Sequence, residues 1–248
     1  MDVPVTSSPV PGNQVIPRPP GAHPGEPAPW AVLPAEARRG ITLERVRRGL
    51  ARPRLGDDPA WRVAVDELPG TGVPAAVLAA LFEEDGEARV LLTRRAAHLR
   101  DHRGEVSFPG GRLDDGESPE DGARREAAEE VGLDPAAVDV VGRLSPLSTL
   151  SSQARITPVV GVLAARPAVR PNPHEVEHVF DVSLAELAAD GVFREERWLR
   201  PGRPPAHVRH HLGADGSFPV WFFELPHDTV WGATARVLVE LLRLTLGV

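Results

Sequence analysis

The sequence predicts an α/β protein, an α/β/α sandwich around a mixed β-sheet. Three observations predict it: apolar, β-branched runs that read as buried strands, an internal helix with both start and stop signals, and a C-terminal helix with a wide apolar face. Nine of the first thirty residues are proline, and Met1 to Pro29 lacks apolar periodicity. That stretch is expected to be a disordered or polyproline-like tail, followed by one domain over residues 30–248. Leu43 to Ala51 reads as an arginine-rich amphipathic helix, with a loop through Pro53 and Pro59 after it. Val73 to Phe82 and Ala88 to Thr93 read as strands joined at Asp85-Gly86, a hairpin signal. Ser118 caps the next helix, Pro119 suits its first position, and Gly132 ends it. Val138 to Leu144 and Ile156 to Ala164 read as strands, the second central. Shorter strands are expected at Phe193 to Leu199, Ala206 to His211 and Phe218 to Leu225, with a turn over Gly213 to Gly216. The last helix is expected from Thr229 to Leu246, burying Val230, Ala233, Val237, Leu238, Leu241 and Leu244.

Composition removes whole classes of chemistry. There is no cysteine, so disulfides and thiol catalysis are excluded. The sequence also lacks lysine and tyrosine, which removes Walker-type phosphate loops, Schiff bases and tyrosine general acids. A net charge of −7 argues against a general affinity for nucleic acid and favours a small anionic ligand recognised by local arginines. The N-terminus has no secretion-signal pattern, and the longest apolar run, Ala75 to Phe82, falls far short of the roughly 20 residues that span a bilayer. A cytoplasmic protein without membrane insertion is expected.

The most informative segment is Gly111 to Leu133, a glycine loop feeding the capped helix. Glu126, Glu129 and Glu130 fall at i, i+3 and i+4 and so share one stripe of that helix, beside an apolar stripe of Ala123, Ala127 and Val131. Two unit charges about 4 Å apart repel by roughly 1 kcal/mol in water and about 4 kcal/mol at an effective dielectric of 20, so the cluster calls for a cation. Hard oxygen ligands suit Mg²⁺ or Mn²⁺, which also bind phosphate oxygens. The arrangement reads as a metal-dependent pyrophosphate site.

The segment resembles the Nudix hydrolase box, G-x5-E-x7-R-E-U-x-E-E-x-G-U with U bulky and apolar. Gly111, Glu117, Arg125, Glu126, Glu129, Glu130, Gly132 and Leu133 match it, and Ala127 is smaller than usual. The resemblance implies the α/β/α sandwich, with Glu126, Glu129 and Glu130 as metal ligands and the Gly110 carbonyl beside them. It also implies that Glu117 and Arg125 pair to hold loop against helix, so that Arg125 serves the catalytic group Glu129 and Glu130 by orienting it.

Upstream, Leu91 to Gly111 resembles the L-L-T-x-R-[SA]-x3-R-x3-G-x3-F-P-G-G pattern of the coenzyme A pyrophosphatase branch of that family. It is met at Leu91, Leu92, Thr93, Arg95, Ala96, Arg100, Gly104, Phe108, Pro109, Gly110 and Gly111. Read for its chemistry alone, the loop gathers Arg94, Arg95, Arg100 and Arg103 with His98 and His102, a cationic loop suited to bidentate phosphate contacts. Coenzyme A carries a diphosphate and a 3′-phosphate. The resemblance implies substrate binding by Arg95, Arg100, Gly104 and Phe108, with 3′,5′-ADP and 4′-phosphopantetheine as products. Alternatives are a related hydrolase acting on ADP-ribose, dinucleotides or oxidised nucleotides, and a non-catalytic module that senses a nucleotide. A homodimer is compatible with all three, and the general base stays open.

A competing motif is His174-Glu175-Val176-Glu177-His178, the H-E-x-x-H of zinc peptidases. It requires a helix, whereas Glu175 to Val182 alternates as a strand, with Val176, Phe180 and Val182 on one side and Glu177, Val179 and Asp181 on the other. Ser183 reads as the cap of a new helix over Leu184 to Ala189. An E-V pair at this place is frequent in the resembled family, which implies that Glu175 or Glu177 faces the same pocket. Val230 to Thr234 resembles that family's W-G-x-T stretch, with Trp231 as a core or pocket-wall residue.

Overall fold

Strand β2 shows why the apolar runs were readable as buried. In the computed structural model, which describes residues 14–52, 72–99, 102–148, 154–199 and 215–248, it is sandwiched on both faces. The elements in chain order are β1 (His23–Pro24), α1 (Leu43–Leu50), β2 (Val73–Glu84), β3 (Glu87–Arg95), β4 (Val106–Ser107), β5 (Gly110–Arg112) and α2 (Pro119–Val131). They continue with β6 (Asp139–Arg143), β7 (Leu147–Ser148), β8 (Ala154–Val162), β9 (Val176–Ser183), α3 (Leu184–Leu187), β10 (Phe193–Trp198), β11 (Phe218–Glu224), β12 (Thr229–Trp231) and α4 (Gly232–Leu246). Ala76, Leu78, Ala80 and Phe82 of β2 pack with Ala123, Ala127 and Val131 of α2. The intervening Ala79 and Leu81 join the core that holds α1, α3 and α4. A strand buried on both sides has no polar alternation to display.

The larger sheet runs β4-β3-β2-β8-β6, with β5 on β2, β7 on β8 and β9 on β3. Its β2–β8 pair is parallel, from Val73↔Ala154 to Leu81↔Val162, and its other pairs are antiparallel, so the sheet is mixed as expected. Asp85 and Gly86 both have positive φ, 53° and 77°, the hairpin geometry that Asp-Gly favours. A second, antiparallel sheet of order β1-β10-β11-β12 packs one face, with Phe223 stacked on buried Trp30 at 6.1 Å, into the α4-side core.

Four expectations change. The tail was expected to be disordered through Pro29, yet residues 14–29 lie along the second sheet, while residues 1–13 fall outside the described residues. Gln14 Oε1 accepts the Thr229 N–H at 3.1 Å, Ile16 is buried beside Trp198 and Phe222, Arg18 pairs with Glu196 at 2.9 Å, and β1 pairs with β10. These partners are far away in sequence, so local periodicity carries no trace of them. The last helix begins at Gly232 because Thr229 to Trp231 is captured by β11, with Phe222↔Trp231 in register, and Gly232 turns the chain at φ 63°. Trp231, expected as a core or pocket-wall residue, is half-buried, stacked on Phe222 and beside Trp198, and packs on the cluster of the second sheet.

The third change is in β9. It pairs with β3 from Arg89↔Ser183 to Arg94↔His178, and then Arg95 pairs with Val176, which leaves Glu177 as an extra residue in a β-bulge. Val176 therefore joins the α2-side cluster instead of sharing a face with Phe180 and Val182. The fourth concerns α3, which has the expected Ser183 capping box but stops at Leu187. The loop through Pro53 and Pro59 and the strand over Ala206 to His211 lie outside the described residues.

Candidate active site

The site is assembled where β5 runs into α2. Ser118 Oγ accepts the Asp121 N–H at 3.2 Å, Pro119 occupies the first turn, and Gly132 closes the helix in the left-handed region at φ 70°. Two glycines let the preceding strand squeeze through. A Cβ on Gly110 would lie 2.4 Å from the Ala76 carbonyl oxygen, and one on Gly111 would lie 2.5 Å from the Glu126 carboxyl carbon. The F-P-G-G segment thus brings backbone against the carboxylates because nothing larger fits.

Arg125 ties loop to helix. Its Nε and Nη2 donate to the two Glu117 carboxylate oxygens at 2.9 Å each, and Nη2 also donates to the Arg112 carbonyl at 2.9 Å. This fork, helped by the Asp114 N–H, holds the Glu117 carboxyl at a pKa of about 2. Nη1 of the same guanidinium reaches Glu126 at 3.0 Å and Glu129 at 3.4 Å. Arg125 thus joins the Glu117 loop to the glutamates of the helix stripe.

The three glutamates of the stripe sit in different surroundings. Glu130 is 4 % exposed, and burial raises its carboxyl to about 7 even though Oε2 accepts the Gly110 N–H at 3.2 Å. Burial also raises Glu126. Glu129 leans outward toward Arg125, its side chain 57 % exposed. A further carboxylate, Glu175, approaches from the turn before β9 and adds to the raising of both Glu126 and Glu130. The pooled negative charge is faced by Arg95, whose Nη1 lies 4.0 Å from Glu130 Oε1. Among the described residues no three acidic or histidine side chains already stand in metal-holding geometry. Even so, clustered carboxylate oxygens that raise one another's carboxyls fit the donor chemistry of a hard divalent cation, which Glu126 and Glu130 would hold.

The remaining predicted residues separate. Arg95 projects into the carboxylate pocket, and its buried Nε has no hydrogen-bond partner among the described residues. Gly104 is buried at φ 68°, and its N–H donates to the Arg95 carbonyl at 3.1 Å, so it folds the loop back onto β3. Phe108 was expected to contact substrate, but it is only 3 % exposed and packs in the α4-side core, just before the strand that carries Gly110 begins. Gly110 meets Glu130 through its amide. Arg100 lies outside the described residues. Arg94, grouped with the cationic loop by sequence, faces the opposite side of the sheet and pairs with Asp228 at 3.2 Å. His102 binds Glu105 at 2.9 Å, and His98 contacts the His174 carbonyl at 3.1 Å.

The H-E-x-x-H histidines are not on a helix. His174 lies in a turn fastened by Asn172, whereas His178 is in β9 with Nε2 3.6 Å from Asp228. Of that motif, Glu175 is the residue whose charge reaches Glu126 and Glu130, and the sequence signal for it was the E-V pair that left Glu175 and Glu177 as alternatives.

Similarity to known proteins agrees with this geometry. The NUDIX domain model matches residues 72–202. Nudix hydrolase 22, chloroplastic, of Arabidopsis thaliana is 40 % identical over 172 residues, covering 67 % of this chain and 53 % of its own. The Nudix hydrolase NudL of Cronobacter sakazakii is 39 % identical over 168 residues, covering 67 % of this chain and 80 % of its own. The chain thus spans about half the length of the plant relatives it matches. Among solved structures, the Nudix hydrolase RenU of M. smegmatis aligns with a TM-score of 0.41 at 27 % identity, covering 47 % of this chain and 73 % of its own. With a domain match over more than half of its residues and a box helix folded as described, the chain belongs to the Nudix hydrolase family.

Proposed function

We propose that this protein hydrolyses the pyrophosphate bond of coenzyme A or a derivative, taking up one water and releasing 3′,5′-ADP and 4′-phosphopantetheine or its acyl form. The observation that carries the reading is Arg95, a motif arginine that enters the carboxylate pocket with its buried Nε unpartnered among the described residues and Nη1 4.0 Å from Glu130. A guanidinium held there with spare donors suits a diphosphate oxygen. A bound Mg²⁺ or Mn²⁺ would neutralise the diphosphate and make a water more acidic.

The protein's own groups supply the rest. Glu126 and Glu130 gather positive charge, and Arg125 keeps their helix in register with the glycine loop. Arg95 orients the diphosphate, and Glu175, a carboxylate from outside the box helix, accepts the proton of the attacking water. Burial of Glu130 and of the glycine strand keeps the pocket at low dielectric, where these charges act more strongly.

The test is turnover of coenzyme A, acyl-coenzyme A, ADP-ribose and dinucleotides side by side with Mg²⁺ in ¹⁸O-labelled water, the label located by mass spectrometry. Preferred hydrolysis of coenzyme A forms is expected. Preference for ADP-ribose or a dinucleotide would move the protein to another substrate class, and tight nucleotide binding without turnover would make it a sensor.

A further inference from the structure

The last carbonyls of a helix have no partner within it, and in α2 they belong to the turn that carries Glu129 and Glu130. That of Ala128 is closed locally by the Gly132 N–H at 3.0 Å. Those of Glu130 and Val131 are closed from a distant segment, the connection between β8 and β9. The Asn172 N–H donates to the Glu130 carbonyl and the Arg170 N–H to the Val131 carbonyl, at 2.8 Å each. The fit is close. A Cβ on Gly132 would lie 3.2 Å from Arg170 Cβ, so the glycine that stops the helix also admits this segment.

The docked segment runs into a tight turn built on Asn172. Its side-chain Oδ1 accepts the His174 N–H at 3.1 Å, which closes an Asx turn. Its carbonyl accepts the N–H groups of Glu175 at 3.0 Å and of Val176 at 2.8 Å. Pro171 and Pro173 on either side narrow the backbone choices further. The other side of the turn holds the start of the cationic loop: Ala96 N–H donates to the Glu175 carbonyl at 2.8 Å, and His98 Nε2 to the His174 carbonyl at 3.1 Å. One turn therefore grips both the end of the box helix and the chain that follows Arg95.

We propose that Asn172 is a positioning residue. Through its turn it holds the last turn of α2, and with it the Glu130 carboxylate, in place against the Gly110 amide at 3.2 Å and Arg95 at 4.0 Å. The inference rests on the reading of Glu130 as a metal-holding group, and it asks nothing of the Glu175 side chain.

Linkage supplies the first test, on the unaltered chain. If the docked turn favours metal binding, metal favours the docked turn by the same factor. Amide exchange at Arg170 and Asn172, followed by nuclear magnetic resonance, should therefore slow about 10-fold when Mg²⁺ is added, and should not slow in Glu130→Gln. The second test compares Asn172→Ala with Asn172→Ser, whose hydroxyl accepts the same N–H more weakly. Asn172→Ala should bind Mn²⁺ about 10-fold more weakly by electron paramagnetic resonance and lose a similar factor in kcat on coenzyme A. Its Tm should fall by only roughly 2–4 °C. Asn172→Ser should lie between the alanine variant and the parent in both affinity and kcat.

Parent-like Mn²⁺ affinity in Asn172→Ala, equal losses in the alanine and serine variants, or parent amide exchange that ignores Mg²⁺ while Mn²⁺ still binds, would overturn the inference and leave the pyrophosphatase reading intact. Parent-like Mn²⁺ affinity in Glu130→Gln would remove that residue from the metal, and the inference with it. Should the Asn172 variants fail to fold, amide exchange on the parent chain decides alone.

Discussion

On the α2 side of β3, Glu126, Glu130 and Glu175 crowd one pocket with Arg95 4.0 Å from Glu130, and burial raises two of the three carboxyls. On the opposite side of the same strand, Arg94 faces both Asp228 and Glu177, and His178 lies beside Asp228. The two sides differ in burial and in the balance of charge: Glu177 and His178 have side chains 46 % and 42 % exposed, whereas Glu130 is 4 % exposed. A structural network is closed by its own partners, whereas a working pocket is left with charge that an incoming ion must complete. Across α2 and the loop before it the contrast repeats at short range: Glu117, forked to Arg125, is held near 2, and Glu130, thirteen positions on, is pushed to about 7.

Removing the surplus charge should have the largest effect. Glu130→Gln is expected to lower kcat by about 10³-fold, equivalent to several kcal/mol of lost charge stabilisation. The same change should make the metal-free protein more stable at pH 8. Glu130 is raised in the folded state, so its favourable contribution is complete below about 4.5 and is lost as pH rises through about 7. At pH 8 the buried anion costs on the order of 1–3 kcal/mol, from about 1.36 kcal/mol per pKa unit, and glutamine removes that cost. Denaturant melts at pH 5 and pH 8 check the sign: the stabilisation should be present at pH 8 and much reduced at pH 5.

The same titration governs ion uptake. Mn²⁺ affinity of the parent, followed by electron paramagnetic resonance, should climb as pH rises through about 7 and then level off. A flat profile would mean that Glu130 is not a ligand.

Next in size is the brace. Arg125→Met should reduce kcat about 10- to 100-fold, as loss of a ligand-orienting group does. Arg125→Lys should fail to rescue it, because one ammonium cannot span both Glu117 oxygens and the Arg112 carbonyl. Rescue by lysine would reduce the fork to simple charge.

The smallest effect belongs to the balanced side of the molecule. Gln14→Ala removes the acceptor for Thr229 N–H and should cost about 1 kcal/mol. That corresponds to a fall in Tm of roughly 2–4 °C for a chain of this size, with kcat unchanged.

How much of this was legible depends on where each residue's partners lie. The box helix, its cap, its glycine stop and the Glu117–Arg125 fork are all set within about twenty residues, so spacing alone exposes them. Strands β2 and β8 announce themselves because burial on both faces leaves no choice of side chain. The roles of Arg94 and Arg95 were not separable in sequence, since adjacent arginines in a strand look alike until the pleat sends them to opposite faces. The burial of Phe108 is set by long-range packing in the α4-side core, which its place in the F-P-G-G run does not show. The bulge at Glu177, which reverses the faces predicted for Val176, exists only in relation to β3. The docking of Gln14, Ile16 and Arg18 depends on β10, β11 and β12, some two hundred residues away.

That docked segment is fastened along one edge, through the Gln14 side-chain amide, buried Ile16, the Arg18–Glu196 pair, the two-residue ladder, the His23–Asp215 contact and the Gly25 and Glu26 N–H groups on Glu195. A unit held along one edge opens well below the global unfolding free energy, so amide protons along residues 14–28 should exchange early. Each opening would wet the Trp198–Phe222–Trp231 cluster, so tryptophan emission offers an optical record of how often the protein breathes at its N-terminal end.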